Sequence, residues 1–336
     1  MLKIYVFAVE YFFHLSSHIF KTNPRENKLY ILPRTFEYMK LVFLGTGGSY
    51  PSPERNVPCT ALKYQGEILL FDCGEGSQRQ LMRSSLSFMQ VEKIFITHFH
   101  GDHFLGVPGL VQSMNMNDRE EPLDIYGPEG SVPILKDLLS KGYFGAGFPI
   151  HILELENQAR LDFDGYHIST FNTDHDVPSM GYSFEERDKK GRFDREKALD
   201  LGVPEGPLFS RIHEGKTVEV EGKKIEPEQV VGPPRRGKKI VYTGDTRPCQ
   251  NVIEASNRAD VLIHDSTLNS SMSDRAIERG HSSTVMAAET ASKSDVEKLF
   301  LTHISPRYTD GQQLEEEAKE IFEKSTVPDD FFEYEL

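Results

Sequence analysis

At 336 residues, with 38% hydrophobic and 27% charged side chains, the chain has the balance of a globular protein with one large core or two small ones. Its three cysteines, Cys59, Cys73 and Cys249, lie far apart without C-x-x-C spacing, which excludes a disulfide framework and a thiolate zinc site and points to a reducing, cytoplasmic setting. No apolar run is long enough to cross a bilayer, and the net charge of −14 comes without repeats, low complexity or a P-loop.

Taken in order, the first 38 residues fit poorly with the rest of the chain. Residues 1–20 are aromatic and apolar but carry Glu10 and two histidines, with no small-residue cleavage site. Residues 21–38 are polar, contain Pro24 and Pro33, and read as a linker. The expectation is an N-terminal extension of residues 1–38, either an upstream misreading of the start codon or a short added helix. From Met39, alternation predicts strands near 40–45, 60–65, 67–71 and 93–97, and helices near 75–84 and 104–117. Further strands are predicted near 123–126, 149–154, 167–173 and 180–185. The remainder alternates strand and helix: 239–243, 248–256, 260–264, 282–293, 297–302 and 311–323. The pattern predicts an α/β protein in two similar halves, with two sheets layered by helices.

The chemistry concentrates in Thr97-His98-Phe99-His100-Gly101-Asp102-His103, directly after an apolar run. His98 and His100 are two apart, so an extended strand end points them the same way. Asp102 and His103 come after a glycine, where the chain can turn and present a second set of ligands. Imidazole and carboxylate without thiolate suit zinc, or manganese and iron as substitutes. A histidine-rich surface loop is the bland alternative. More candidate ligands stand after strand-like runs: His175 after 166–173, Asp245 after 239–243 and His303 after 296–302.

This ordered set resembles the metallo-β-lactamase fold superfamily. The resemblance implies a four-layer αβ/βα sandwich with two metal ions per subunit. It implies His98, His100 and His175 on one ion, Asp102, His103 and His303 on the other, and Asp245 bridging. It runs from about Met39 to the C-terminus. Fold alone does not name a substrate.

Between the halves, Leu201-Gly202-Val203-Pro204-Glu205-Gly206-Pro207-Leu208 and Gly215-Lys216-Thr217-Val218 are punctuated by glycine and proline and lack core-like periodicity. Residues 185–239 hold 14 Lys and Arg against 12 Asp and Glu, a mildly basic stretch in an acidic chain. A solvated loop explains the charges alone; a polyanion-binding arm explains them together with the length of the insertion. This segment is similar to the flexible arm of ribonuclease Z, the endonuclease that trims precursor tRNA at its 3′ end. Pro53-Glu54-Arg55-Asn56 resembles that family's substrate-end loop, Phe71-Asp72-Cys73-Gly74-Glu75-Gly76 its turn before the first helix, and Gly280-His281-Ser282-Ser283-Thr284 its His-Ser-Thr loop. One departure stands out. The family commonly has His-Glu-Ala-Thr where this chain has His264-Asp265-Ser266-Thr267, so Asp265 must reach one methylene less far towards His281.

The resemblance implies a zinc-dependent endoribonuclease with Asp102 as general base and His281, held by Asp265, as general acid. It implies substrate contacts from Arg55 and Asn56 and, in an arm of about residues 201–236, from Gly202, Pro204, Gly206, Pro207 and Lys216. It also implies a homodimer in which one subunit's arm holds precursor tRNA for the other's metals, with no membrane involved. Against His281 as an acid stands a plain helix N-cap at Ser282-Ser283-Thr284. The rivals are a small-substrate hydrolase of the same fold, and a non-catalytic RNA-binding subunit that kept it.

Overall fold

The computed structural model describes residues 39–336 except Phe144, and the backbone of Ile4–Val6. The expectations for residues 1–38 otherwise lie outside the described residues. Chain contacts divide into two compact units: one holds residues 39–160, 169–183 and 240–336, the other 161–168 and 184–239.

In the first unit, period-2 alternation has a direct structural consequence. Strands Lys40–Gly45, Cys59–Tyr64, Glu67–Phe71, Val91–Phe95, Leu123–Gly127 and Ile150–Glu154 lie side by side in that order in one sheet. The first three pair antiparallel and the last three join in parallel. Alternate residues point to opposite faces. Val42, Leu44, Ile68, Leu70 and Ile94 therefore pack with Leu81, Val107, Leu110 and Val111 of the helices Ser77–Arg83 and Val107–Met116. Their neighbours Phe43, Phe71 and Phe95 point the other way and are fully buried.

A second sheet meets that other face. Its strands include Met180–Glu186, Lys239–Tyr242, Val261–Asp265 and Leu299–Thr302, the last three in parallel. Phe43 packs on Phe300 with ring centroids 4.9 Å apart, Phe71 on Tyr242 at 5.5 Å, and Phe95 on Tyr182 at 5.3 Å. Such pairs each add about 0.5–1.5 kcal/mol beyond area burial. Val241, Leu262, Leu299 and Leu301 turn outward onto Val252, Ala287, Ala288, Ala291 and Leu314 of the helices Gln250–Ser256, Thr284–Lys293 and Gln312–Lys319. The result is helix, sheet, sheet and helix: the expected four layers.

Several elements depart from the pattern. Ser131–Leu139 is a helix whose Pro133 lies in its first turn, where a missing N–H costs nothing. The expected helix 104–117 is two pieces, Gly101–Phe104 and Val107–Met116, because the Gly106 N–H is taken by the Cys73 carbonyl. Glu333–Glu335 pairs antiparallel with Lys40–Val42, too short a strand to show a period.

The second unit has its own small core. Ala198, Val203, Ile212, Val218, Ile225 and Val230 cluster between the helices Arg195–Asp200 and Pro207–His213 and the hairpin Val218–Val220/Lys223–Ile225. The segment read as lacking core-like periodicity therefore carries regular elements, each too short to register in the pattern. Gly202, Pro204, Gly206, Pro207 and Lys216 are all exposed in it.

Candidate metal centre

The site residues stand at or just beyond the C-terminal ends of strands. Val91–Phe95 leads to His98, His100, Asp102 and His103; Tyr166–Asn172 to His175; Lys239–Tyr242 to Asp245; Leu299–Thr302 to His303. Asp265 is itself the last residue of Val261–Asp265, in register with Thr302. Parallel pairing of Lys239–Tyr242, Val261–Asp265 and Leu299–Thr302 brings Asp245, Asp265 and His303 to one rim, where the loop after Val91–Phe95 of the other sheet meets them.

The geometry sorts the predicted ligands into two groups that share a carboxylate. Ligating atoms of His98, His100, His175 and Asp245 all lie within 4.8 Å of one another, as do those of Asp102, His103 and His303. His98 Nε2 is 3.1 Å from His100 Nδ1, which is 3.2 Å from His175 Nε2. Asp245 reaches both groups: Oδ2 is 3.6 Å from His98 Nε2 and 3.4 Å from His303 Nε2, and Oδ1 is 3.4 Å from His103 Nε2. Instead of a simple glycine turn, Asp102 and His103 stand on the single helical turn Gly101–Phe104.

In His103, His303 and His175 the other ring nitrogen is committed elsewhere, which fixes which nitrogen faces the centre. His103 Nδ1 meets Asp72 Oδ2 at 2.7 Å, His303 Nδ1 meets Thr267 Oγ1 at 2.8 Å, and His175 Nδ1 donates to the Gly280 carbonyl at 2.8 Å. Gly280 has φ +82°, and a Cβ there would stand 2.6 Å from His175 Nδ1, so both backbone and space require glycine. A Cβ on Gly48 would meet His303 Cε1 at 2.4 Å. Asp72 and His303 both hold left-handed backbone, φ 58° and 60°, at strand ends.

The donor set fits a metal. His103 Nε2 and Asp245 Oδ1 are buried and lack a hydrogen-bond partner of good geometry among the described residues. His98 Nε2 and His175 Nε2 both lie within hydrogen-bonding distance of His100 Nδ1, an arrangement of nitrogens that a cation would satisfy. Burial, reinforced by neighbouring histidine charge, holds His98 well below its ordinary pKa and so neutral, the form that ligates. Burial alone would raise Asp245, but His303 and His103 outweigh it and hold the carboxyl well below its ordinary value. In His103 burial is overcome by Asp245 and Asp72, which push its pKa well up. A cation at that nitrogen would have to displace a proton.

Beside this centre, His281 Nδ1 donates to Asp265 Oδ2 at 3.0 Å. Direct contact settles the question raised by the shorter side chain. Asp265 also accepts from the Thr246, Ser282 and Thr267 amides and from the Thr267 hydroxyl, so its position is fully specified. Burial lowers the His281 pKa, but the Asp265 charge and hydrogen bond, aided by Asp245, raise it to about 9. His281 stacks on His303 at 4.9 Å, and Asp102 Oδ2 lies 3.4 Å from His303 Nε2, so candidate acid and base flank one ring.

One expectation is corrected. Arg55, expected to contact substrate, is only 4% exposed. Its guanidinium bonds Thr46 Oγ1 and the Pro328 carbonyl at 2.6 Å each, and Asp329 at 2.9 Å. These bonds from its two terminal nitrogens hold the buried cation, so this arginine braces its own loop, although Nε is left without a partner among the described residues. Asn56 likewise turns Nδ2 to the Glu75 carbonyl. Sequence reasoning gave no role to Asp72, Ser49 or Thr267. Ser49 N–H bonds Asp102 Oδ2 at 2.7 Å; no local pattern signals a partner 53 residues away.

Comparison with known proteins agrees with this geometry. Residues 39–189, less than half the chain, match the family model described as Anti-Pycsar protein Apyc1. The chain is 46% identical to the ribonuclease Z of Methanosarcina acetivorans, over 89% of this chain and 98% of that protein. It is 47% identical to the ribonuclease Z of Pyrococcus abyssi, over 87% and 94%. The crystal structure of human tRNase Z, short form, superposes with a TM-score of 0.63 at 29% identity, covering 88% of this chain and 98% of that one. The metallo-β-lactamase fold protein YhfI of Bacillus subtilis, at TM-score 0.66 and 18% identity, covers 89% of this chain and 100% of that one and shares the fold. With near full-length identity of this order and the ligand groups assembled at one rim, the chain belongs to the ribonuclease Z family.

Proposed function

We propose that this chain is a metal-dependent endoribonuclease that removes the 3′ trailer from precursor tRNA, leaving a 3′-hydroxyl on the tRNA and a 5′-phosphate on the trailer. The observation that carries the reading is the convergence of two ligand groups on Asp245, with the His281–Asp265 pair alongside. His98, His100 and His175 would hold one zinc ion, Asp102, His103 and His303 the other, and Asp245 both; manganese or iron are substitutes. Bound there, divalent cations would acidify a water towards a pKa of about 7 and would neutralise charge on the scissile phosphate.

The chain's own groups supply the proton transfers. Asp102 is held as carboxylate: burial opposes this, but hydrogen bonding from His303 and the charge of His103 prevail. The Ser49 amide fixes its Oδ2, and it takes the proton of the attacking water. His281, protonated at neutral pH, gives its proton to the departing ribose 3′ oxygen. Asp265 is a positioning residue, keeping the imidazolium aimed and charged.

The arm, about residues 201–236 with Gly202, Pro204, Gly206, Pro207 and Lys216, is the proposed tRNA grip, read through phosphates and shape. A homodimer working in the cytoplasm completes the reading, supported by the family resemblance. No described helix is long and apolar enough to cross a membrane. The test is cleavage of a 3′-extended precursor tRNA by wild type and Asp102→Ala at matched metal occupancy. Cutting at the 3′ end of the tRNA body, lost in the variant, supports the reading. An intact precursor with metal-loaded wild type overturns it.

A further inference from the structure

We propose that Arg247 is a positioning residue that sets the proton donor His281 against the metal centre. The inference rests on the nuclease reading, with His281 as general acid. Arg247 follows Asp245 by two residues, and its guanidinium donates to two other segments. Nη1 bonds Asp174 Oδ1 at 3.2 Å and Nη2 bonds Asp176 Oδ1 at 2.6 Å, so the carboxylates on either side of His175 hold one fork. Nε donates to the Ile277 carbonyl at 2.7 Å. That carbonyl also accepts the Gly280 N–H at 3.1 Å, and the Gly280 carbonyl takes the His175 Nδ1 proton. The bonds close a ring from His175 through its flanking aspartates, Arg247, Ile277 and Gly280 back to His175. His281 is the next residue after Gly280, with its imidazole 5.4 Å from that of His175.

Ion pairs to exposed carboxylates contribute little to stability, and Asp174 and Asp176 are 54% and 57% exposed. What distinguishes this arginine is where its fork ends. The root of the side chain is fixed: Arg247 N–H donates to the Asp174 carbonyl at 2.8 Å, and Asp174 N–H to Thr246 Oγ1 at 3.1 Å. After His281, the Ser282 hydroxyl is bound to the Thr246 carbonyl at 2.7 Å. Before it, Arg247 holds the turn through Ile277. His281 is therefore pinned on both sides to the segment that carries Asp245. The turn also lies against the His175 loop, since a Cβ on Gly280 would stand 3.5 Å from Asp176 Cγ. A planar guanidinium holds its three acceptors at set spacing, which a lysine ammonium on its flexible stem cannot do. Proton transfer needs hydrogen-bond reach to the departing oxygen. A turn that drifts would thus cost protonation of the leaving group and spare the attack by water.

The test uses the metal-loaded, full-length protein, with metal content matched by elemental analysis, under single-turnover conditions. One precursor tRNA is ordinary; the other carries sulfur in place of the bridging 3′ oxygen at the cleavage point. A thiolate leaves without a proton, so the sulfur precursor relieves the acid of its task. Arg247→Met and Arg247→Lys should each cut the ordinary precursor about 10- to 100-fold more slowly at saturation, the range for loss of an orienting partner, with half-saturation unchanged. Both should approach the wild-type rate on the sulfur precursor. His281→Asn should recover in the same way, whereas Asp102→Asn should stay slow on both. If the Arg247 variants fail to fold, the double variant Asp174→Asn, Asp176→Asn, altered at exposed positions, decides by the same recovery. Equal losses on the two precursors, or a wild-type rate in either Arg247 variant on the ordinary one, overturn the positioning role while the nuclease reading stands. If His281→Asn is slow on both, the acid assignment falls and the positioning role with it. If metal-loaded wild type cuts neither precursor, the nuclease reading falls as well.

Discussion

Asp72 accepts the Nδ1 proton of His103 at 2.7 Å, across 31 residues of sequence, and the same carboxylate takes hydrogen bonds from the Thr97 amide and hydroxyl and from the Tyr242 hydroxyl. One buried aspartate thus orients a ligand histidine, anchors the start of the histidine loop and ties in the opposing sheet. Asp72→Asn, nearly isosteric, should lower metal affinity about 10- to 100-fold, as loss of such an orienting partner does. Isothermal titration of the stripped protein would show it. Tyr242→Phe, which removes one donor, should cost about 1 kcal/mol in thermal unfolding and keep the metal content.

Asp265 is confined by five donors including His281, in a site only 1% exposed. Asp265→Glu adds a methylene where there is no room, so it should destabilise by about 1–3 kcal/mol, although the family commonly carries Glu there. His281→Asn removes the proton donor. Cleavage should fall about 10²- to 10⁴-fold with metal content unchanged by elemental analysis.

Metal binding should be proton-linked. Without metal, His103 is held protonated by Asp245 and Asp72, and a cation must displace that proton. Affinity should therefore fall about tenfold per pH unit lowered while one proton is displaced. Calorimetry in buffers of different ionisation enthalpy counts the protons; zero release would refute the linkage. Chelation should lower Tm, since the metal binds only the folded centre.

His281 gives a second pH signature, in the metal-free protein. Its pKa is raised to about 9, so it contributes stability fully below its ordinary value near 6.5 and loses it as pH rises through 9. The Tm difference between stripped wild type and stripped His281→Gln should shrink over that window. A difference that is flat with pH would show that the imidazolium is not held as described.

Gly48→Ala places a methyl 2.4 Å from His303 Cε1. The ring must move, and the ligand group Asp102, His103 and His303 opens. We expect loss of about one equivalent of bound metal and of nearly all cleavage, with the fold intact by circular dichroism.

Recognition through phosphates predicts steep salt dependence. If Lys216, exposed and paired with Glu214, contacts a phosphate, Lys216→Ala should raise KM for all precursors alike and reduce the logarithmic salt slope by about one. An unchanged slope would remove Lys216 from the interface.

How much of this was legible beforehand depends on the range of each interaction. Residues 40–45, 67–71, 93–97 and 180–185 lie on or within two residues of observed strands, because a buried strand writes its own period of two into the chain. The ligand candidates were legible too: histidine and aspartate in six consecutive positions, then His175, Asp245 and His303 at further strand ends, are chemistry carried by residue type and local order. The second unit was not, since its helices of six and seven residues and three-residue strands are shorter than one repeat of a readable pattern.

The sequence by itself determined most strands and helices of the first unit and the chemical character of the centre, because period and residue type are local. Only the tertiary structure decided which way side chains turn within that frame. Arg55 turns inward because Pro328 and Asp329, more than 270 residues on, lie under its loop. Asp265 reaches His281 directly because neighbouring amides hold both. Asp102 is oriented by Ser49, and His103 by Asp72, through bonds spanning 53 and 31 residues. Periodicity reports the faces a segment buries; it carries no information about which distant donor a given carboxylate will find, and that pairing is set by the packing of the two sheets.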